Sequence, residues 1–150
     1  MYAPQQEKVE EKEETVQMRT YSRAGRYVPG QSGYKPNSES VNGISNRWSA
    51  ACEQATGYNP QSLGYSMNIT SPNDSYLTSI GARSAIQGSS ITIGHTADIP
   101  HELGHIPDRV EGKVKADTVI AGQAVCTDQT LEARADSYGD AIKSAYDRLG

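Results

Sequence analysis

Apolar residues at a helical or strand period run through this chain only from about residue 41 onward. No other feature constrains the fold more. A core needs apolar side chains that recur on one face of an element, and residues 1–40 supply almost none. The 150-residue chain is 35% hydrophobic, low for a chain folded from end to end. With the shortage concentrated at one end, about 110 residues remain, enough to bury one core. We therefore expect a disordered tail over residues 1–40, a possible loading or recognition segment, and a single domain over residues 41–150.

The tail opens with a charge run, QQEKVEEKEE over 5–14. It continues as RTYSRAGRYVPGQSGYKPNSES, which sets Arg19, Arg23 and Arg26 among Tyr21, Tyr27 and Tyr34. Such interleaving suits single-stranded nucleic acid. The net charge of −4 and pI of about 5.3 argue against that partner, because phosphate binding needs a basic footprint. We expect no nucleic acid, and a tail that is either a solvated linker or recognised by a protein. No apolar run reaches the roughly 20 residues of a membrane span, so no membrane span is expected. The N-terminus is too charged to supply the apolar stretch of a secretory signal. The expectation is a chain made in a cytoplasm without such a signal and, if it leaves the cell, moved by a route that does not read one. Cys52 and Cys126 belong to no CxxC pair, and two buried thiols are the simpler reading.

Within 41–150, ISNRWSAACEQATG puts Ile44, Trp48, Ala51, Cys52 and Ala55 on one helical face, with Gly57 as the stop. YSMNIT over 65–70 alternates like a strand. SPNDSYLTSIGARSAIQG over 71–88 begins with capping residues, and Leu77, Ile80 and Ser84 keep a helical period past Gly81. SSITIG over 89–94 is a second strand. HTADIPHELGHI then starts a helix, with Asp98 at the cap position and Pro100 tolerated in the first turn. Residues 113–126 look like two extended pieces about an Ala-Gly turn. TDQTLEARADSYGDAIKSAYDRL is a long helix capped by Thr127 or Asp128, with Leu131, Ala135, Tyr138, Ile142, Ala145 and Leu149 as its stripe. The fold class expected is α+β.

The chemistry concentrates in His101-Glu102-Leu103-Gly104-His105, which uses two of the chain's three histidines. On a helix His101 and His105 lie one turn apart on one face and can reach the same ion. Glu102 is offset from them, so it can hold a water at the metal and take its proton as general base. A catalytic zinc needs a third protein ligand and an open position. His95, Asp108 and Asp117 are candidates, and Glu132 in LEARAD is the best of them. Glu132 lies beside the apolar stripe of the last helix. Asp136, one turn on, could accept a hydrogen bond from a ligand histidine and fix its tautomer. The strand SSITIG could offer an edge to an extended peptide. A donor near the oxyanion would also be needed, with Tyr138, Tyr146 or a tail tyrosine available.

The blocks SPNDSYLTSIGARSAIQGSSITIG, HELGHI, EGKV and LEARADSYGDA together resemble a known family. It is the small HExxH metallopeptidase-like domain found with bacterial extracellular contractile injection systems, phage-tail-like particles that deliver toxins. The likeness covers about residues 63–145, in order and with similar spacing. HExxH followed by ExxAD is shared with other gluzincin-like peptidases; the upstream GARSAIQGSSITIG points to this family. The resemblance implies a minimal zincin: a small sheet, the HExxH helix and a C-terminal ligand helix. It implies zinc held by His101, His105 and Glu132, Glu102 as general base and Asp136 in support. It implies a zinc metalloendopeptidase acting on a protein or peptide substrate, an effector or toxin, with the N-terminal tail as a place for contact with the particle. A non-catalytic cargo or binding module on the same fold, with structural zinc or none, is the alternative. The chain departs from the family at Asp108-Arg109, where two glutamines are usual, and at Pro107, which should kink or end the motif helix.

Overall fold

The computed structural model describes residues 15–20 and 44–150. In chain order these form β1 (Val16–Thr20), α1 (Asn46–Thr56), β2 (Ser66–Ile69), α2 (Ser75–Ile80), β3 (Ala82–Gln87) and β4 (Ser90–Ile93). A 3-10 turn (Thr96–Asp98) leads into α3 (Ile99–Gly104) and α4 (Ile106–Val110). Then come β5 (Thr118–Ile120), β6 (Gln123–Val125) and α5 (Gln129–Leu149). The class is α+β, as expected.

The strands form one six-stranded mixed sheet in the order β2-β4-β3-β1-β6-β5. β2 runs parallel to β4, from Ser66↔Ser90 to Ile69↔Ile93. β3 and β4 are an antiparallel hairpin closing at Gln87↔Ser90. β1 adds antiparallel to β3 and meets β6 in parallel at Val16↔Val125. Each strand alternates its faces, and both faces of the sheet are used. Met67, Ile69, Ile86, Ile91 and Ile93 join Ile44, Ala51, Cys52, Ile99, Leu103, Ile106, Ile142 and Ala145 in the main core under α1, α3 and α5. On the other face Val16, Ala82, Ala85 and Val125 pack with Leu77 and Ile80 of α2. Cys52 and Cys126 are buried free thiols, and burial raises both above the ordinary thiol range.

The local chemistry explains where these elements start and stop. Ser45 Oγ accepts from Trp48 N to open α1, and Gly57 closes it with φ 87°. Asp74 caps α2 by accepting from Leu77 N. The α2 helix ends at Gly81, φ 72°, and does not run on to Gly88. That corrects the helical reading of 71–88. A left-handed residue ends a helix and reverses the chain, so Ala82–Gln87 becomes a strand whose Ala85 and Ile86 serve opposite faces of the sheet. Pro107 behaves as expected: α3 stops at Gly104 and α4 restarts with the proline in its first turn. The Ala-Gly turn is also found, with φ 52° at Ala121 and 80° at Gly122. Asp128 caps α5 through Thr130 N and Leu131 N. Of its expected stripe, Leu131, Ala135, Ile142 and Ala145 are buried, Tyr138 is half-buried and Leu149 is exposed.

The largest correction falls at the N-terminus. Residues 16–20, inside the segment expected to be a disordered tail, are an interior strand of the sheet. Val16 and Met18 turn to the α2 side, whereas Gln17 and Arg19 turn to the side of α3 and α4. The alternation is real but spans only four residues between a charge run and an Arg-Tyr stretch, too short to register as a period. The remainder of 1–40 lies outside the described residues. The boundary expected at residue 41 therefore misses one strand of the domain.

Candidate metal centre

α3 and α5 bring the metal-binding set together. Gly104 of α3 faces the Ala135 carbonyl, and Gly139 of α5 faces Pro100. A Cβ at Gly104 would collide with the Ala135 backbone, and one at Gly139 would sit 3.0 Å from the Pro100 carbonyl. The two glycines let the helices cross closely. Glu132, in the first turn of α5, thereby reaches the two histidines of α3.

His101, His105 and Glu132 each offer a ligand atom, and these atoms lie within 4.8 Å of one another. The set can hold a metal ion. Glu132 Oε1 is 3.0 Å from His101 Nε2, and Oε2 is 3.5 Å from His105 Nε2. Both histidines are buried and their rings meet edge to face at 4.7 Å. His105 has neither ring nitrogen in a hydrogen bond although it is fully enclosed. A buried polar atom without a partner costs free energy, and a cation between His105 and Glu132 would remove that cost. Two imidazoles and a carboxylate suit a borderline ion.

The electrostatics follow from this packing. Burial works against a charged His101, but hydrogen bonds to Asp136 and Glu132 outweigh it and raise the imidazole to about 9. Burial also opposes ionisation of Glu132, yet the two histidines hold its carboxyl near 2. The His101 hydrogen bond holds Asp136 near 2 as well, against partial burial. Burial keeps His105 below its ordinary value despite Glu132.

Asp136 Oδ1 lies 2.8 Å from His101 Nδ1, the nitrogen away from the triad. Glu102 follows His101 on α3 and is held differently. Its Oε2 accepts from Ser84 Oγ at 2.7 Å, its Oε1 has no hydrogen-bond partner, and the residue is fully enclosed. Burial raises its carboxyl to about 7, against the pull of His101 and Ser84.

The other candidates for a third ligand serve elsewhere. Asp108 is buried and binds Arg134 through both oxygens. Asp117 holds Thr127 N and Oγ1. His95 is enclosed, and burial lowers its pKa. Asp98 makes no side-chain cap, contrary to expectation; it binds Arg83 through two hydrogen bonds of 2.8 Å and lies 3.1 Å from Ser84 Oγ, whose one proton goes to the nearer Glu102. A β-bulge explains this. β1 residues Arg19 and Thr20 oppose Ser84 and Ala82, so Arg83 is the extra residue and turns to the same face as Ser84. Tyr146 stacks on Trp48 at 3.6 Å, and the Tyr138 hydroxyl accepts from Arg134. Neither points to an oxyanion role. The strand SSITIG, expected to present an edge, is β4 and lies between β2 and β3. The edge strands are β2 and β5.

Two participants escaped the sequence reading. Ser84 was assigned to a helix, and only the Gly81 stop could have placed it on a strand. Arg19 was assigned to the tail. Its Nη1 lies 2.8 Å from His101 Nδ1 and 3.1 Å from Asp136 Oδ1, and its Nε lies 3.4 Å from Asp98. Among the described residues no helix is long and apolar enough to cross a membrane.

No family model, no curated protein and no solved structure matches this chain.

Proposed function

We propose that the chain is a zinc metallopeptidase of the HExxH type, with zinc on His101, His105 and Glu132. The observation that carries the reading is the convergence of these three side chains from two helical segments, with the buried carboxyl of Glu102 next in sequence to His101. When bound, zinc would supply a Lewis acid and lower the pKa of the attacking water. Glu102 would be the residue to take a proton from the attacking water and pass it to the leaving amine, and a carboxyl raised to about 7 suits both transfers. Ser84 holds Oε2 and leaves Oε1 free for the proton. Asp136 keeps the His101 proton on Nδ1, so Nε2 presents its lone pair to the site. The resemblance to the injection-system domains extends the proposal: an effector or toxin, made in a bacterial cytoplasm, acting on a protein substrate in a target cell or in the particle.

The complete enclosure of Glu102 favours a second reading, a non-catalytic cargo or binding module with structural zinc or none. Two measurements separate them. Elemental analysis of wild type should give one zinc per chain, lost or weakened in Glu132→Ala. Glu102→Gln should keep the zinc and abolish cleavage of a peptide library. No zinc in wild type, even after zinc is added back, removes the peptidase reading. Zinc with no cleavage by wild type favours the module.

A further inference from the structure

β1 stands beside the metal centre as a bound peptide would. It lies antiparallel on β3 with Arg19 opposite Ser84, the residue that holds Glu102. Arg19 extends to His101, Asp136 and Asp98. Asp136 and Asp98, the latter also held by Arg83, are the two carboxylates that face the Arg19 guanidinium. The main core contains no residue of β1. The three candidate ligands come from the α3 segment and α5, and β1 meets the β6 strand at Val16, which pairs with Val125 and accepts from Cys126 N at 2.9 Å. The candidate ligand set is thus complete without β1, although Val16 is buried in the second core.

We propose that the flank of β3 is a peptide-binding edge which β1 fills from within the chain, and that the vacated slot takes an extended peptide with a basic side chain at the place of Arg19. The inference rests on the peptidase reading for its purpose: such a peptide lies antiparallel to β3, next to Ser84, Glu102 and the triad. β1 then keeps the site closed, in keeping with the enclosure of Glu102 and His105. Main-chain hydrogen bonds to β3 would hold the peptide, and Asp98 with Asp136 would select its charge.

The test uses the full chain and two arms. In wild type, native hydrogen exchange compares the amides of 16–20 with those of β4. Exchange at least about tenfold faster in β1 supports a strand that leaves alone; equal rates mean it leaves only on global unfolding and overturn the proposal. In Arg19→Ala, whose own strand is held less well, a labelled peptide Thr-Val-Gln-Met-Arg-Thr is titrated by anisotropy. It should bind at least about tenfold tighter than to wild type, and at least about tenfold tighter than the same peptide with Glu for Arg. No binding, or equal binding of both peptides, overturns the proposal. Should the variant not fold, the exchange arm decides. Zinc content on the same samples separates the two ideas: peptide binding without zinc would keep the slot and remove the peptidase.

Discussion

Gly104 and Gly139 decide whether Glu132 can reach the histidines. Each sits where a neighbouring backbone occupies the Cβ position. Gly104→Ala or Gly139→Ala must push α3 and α5 apart, at a cost of about 1–3 kcal/mol. The expected result is a clear fall in Tm by calorimetry, and a zinc affinity at least about tenfold weaker, read by chelator competition. His101 makes zinc binding depend on pH. Zinc must displace a proton held with a pKa of about 9. Its affinity should therefore weaken by about tenfold per pH unit as pH falls from 9 toward 7. Titrations at three pH values check this, and a flat profile would mean that zinc displaces no proton held so tightly on His101. These residues were legible to different degrees. His101, Glu102 and His105 announce themselves by spacing alone. Glu132 and Asp136 needed the apolar stripe of α5 beside them. Ser84 and Arg19 carry no motif, because their roles come from a bulge and a strand pairing that no local pattern encodes.

Elements were read well wherever a start or stop signal was strong. α5 declares itself through its Asp128 cap and its stripe, and α1 through Ser45 and Gly57. The failure at 71–88 arose because Ser84 fits both a helical period and a strand face, and Gly81 alone distinguishes them. The β5–β6 turn is legible in the sequence, and it carries the one non-glycine residue at positive φ among the described residues. Ala121 holds φ 52° in a turn that needs left-handed geometry. Ala121→Gly relieves that strain and should stabilise the fold by about 0.5–1 kcal/mol. A raised denaturation midpoint at unchanged slope would bear this out. A lowered midpoint would mean the alanine side chain contributes packing that outweighs its strain.

The buried charges of the centre set how the whole metal-free molecule responds to pH. His101 rises from 6.5 to about 9 on folding, and Glu102 from 4.5 to about 7. A group whose folded pKa is raised stabilises the fold below its unfolded value and loses that contribution as pH climbs through the folded one. His95 and His105 have the opposite sense, but their effect is complete by the ordinary histidine value of 6.5. Metal-free protein should therefore lose Tm between pH 7 and 9, and added zinc should restore it most at the alkaline end. A Tm that rises over that interval would contradict the charge assignment of His101.

The position of β1 also bears on how the chain is built in time. Its partners are residues 82–87 and Val125, so its two neighbours in the sheet are made long after it. At about 5–20 residues per second of synthesis, the strand leaves the ribosome roughly 5–20 seconds before β6 does. Contacts so distant in sequence slow folding. The β2–β4–β3 sheet and its hairpin can form first, and β1 joins as a late arrival. Gln17 and Arg19 give the waiting strand one polar face, a safeguard against pairing with another nascent chain.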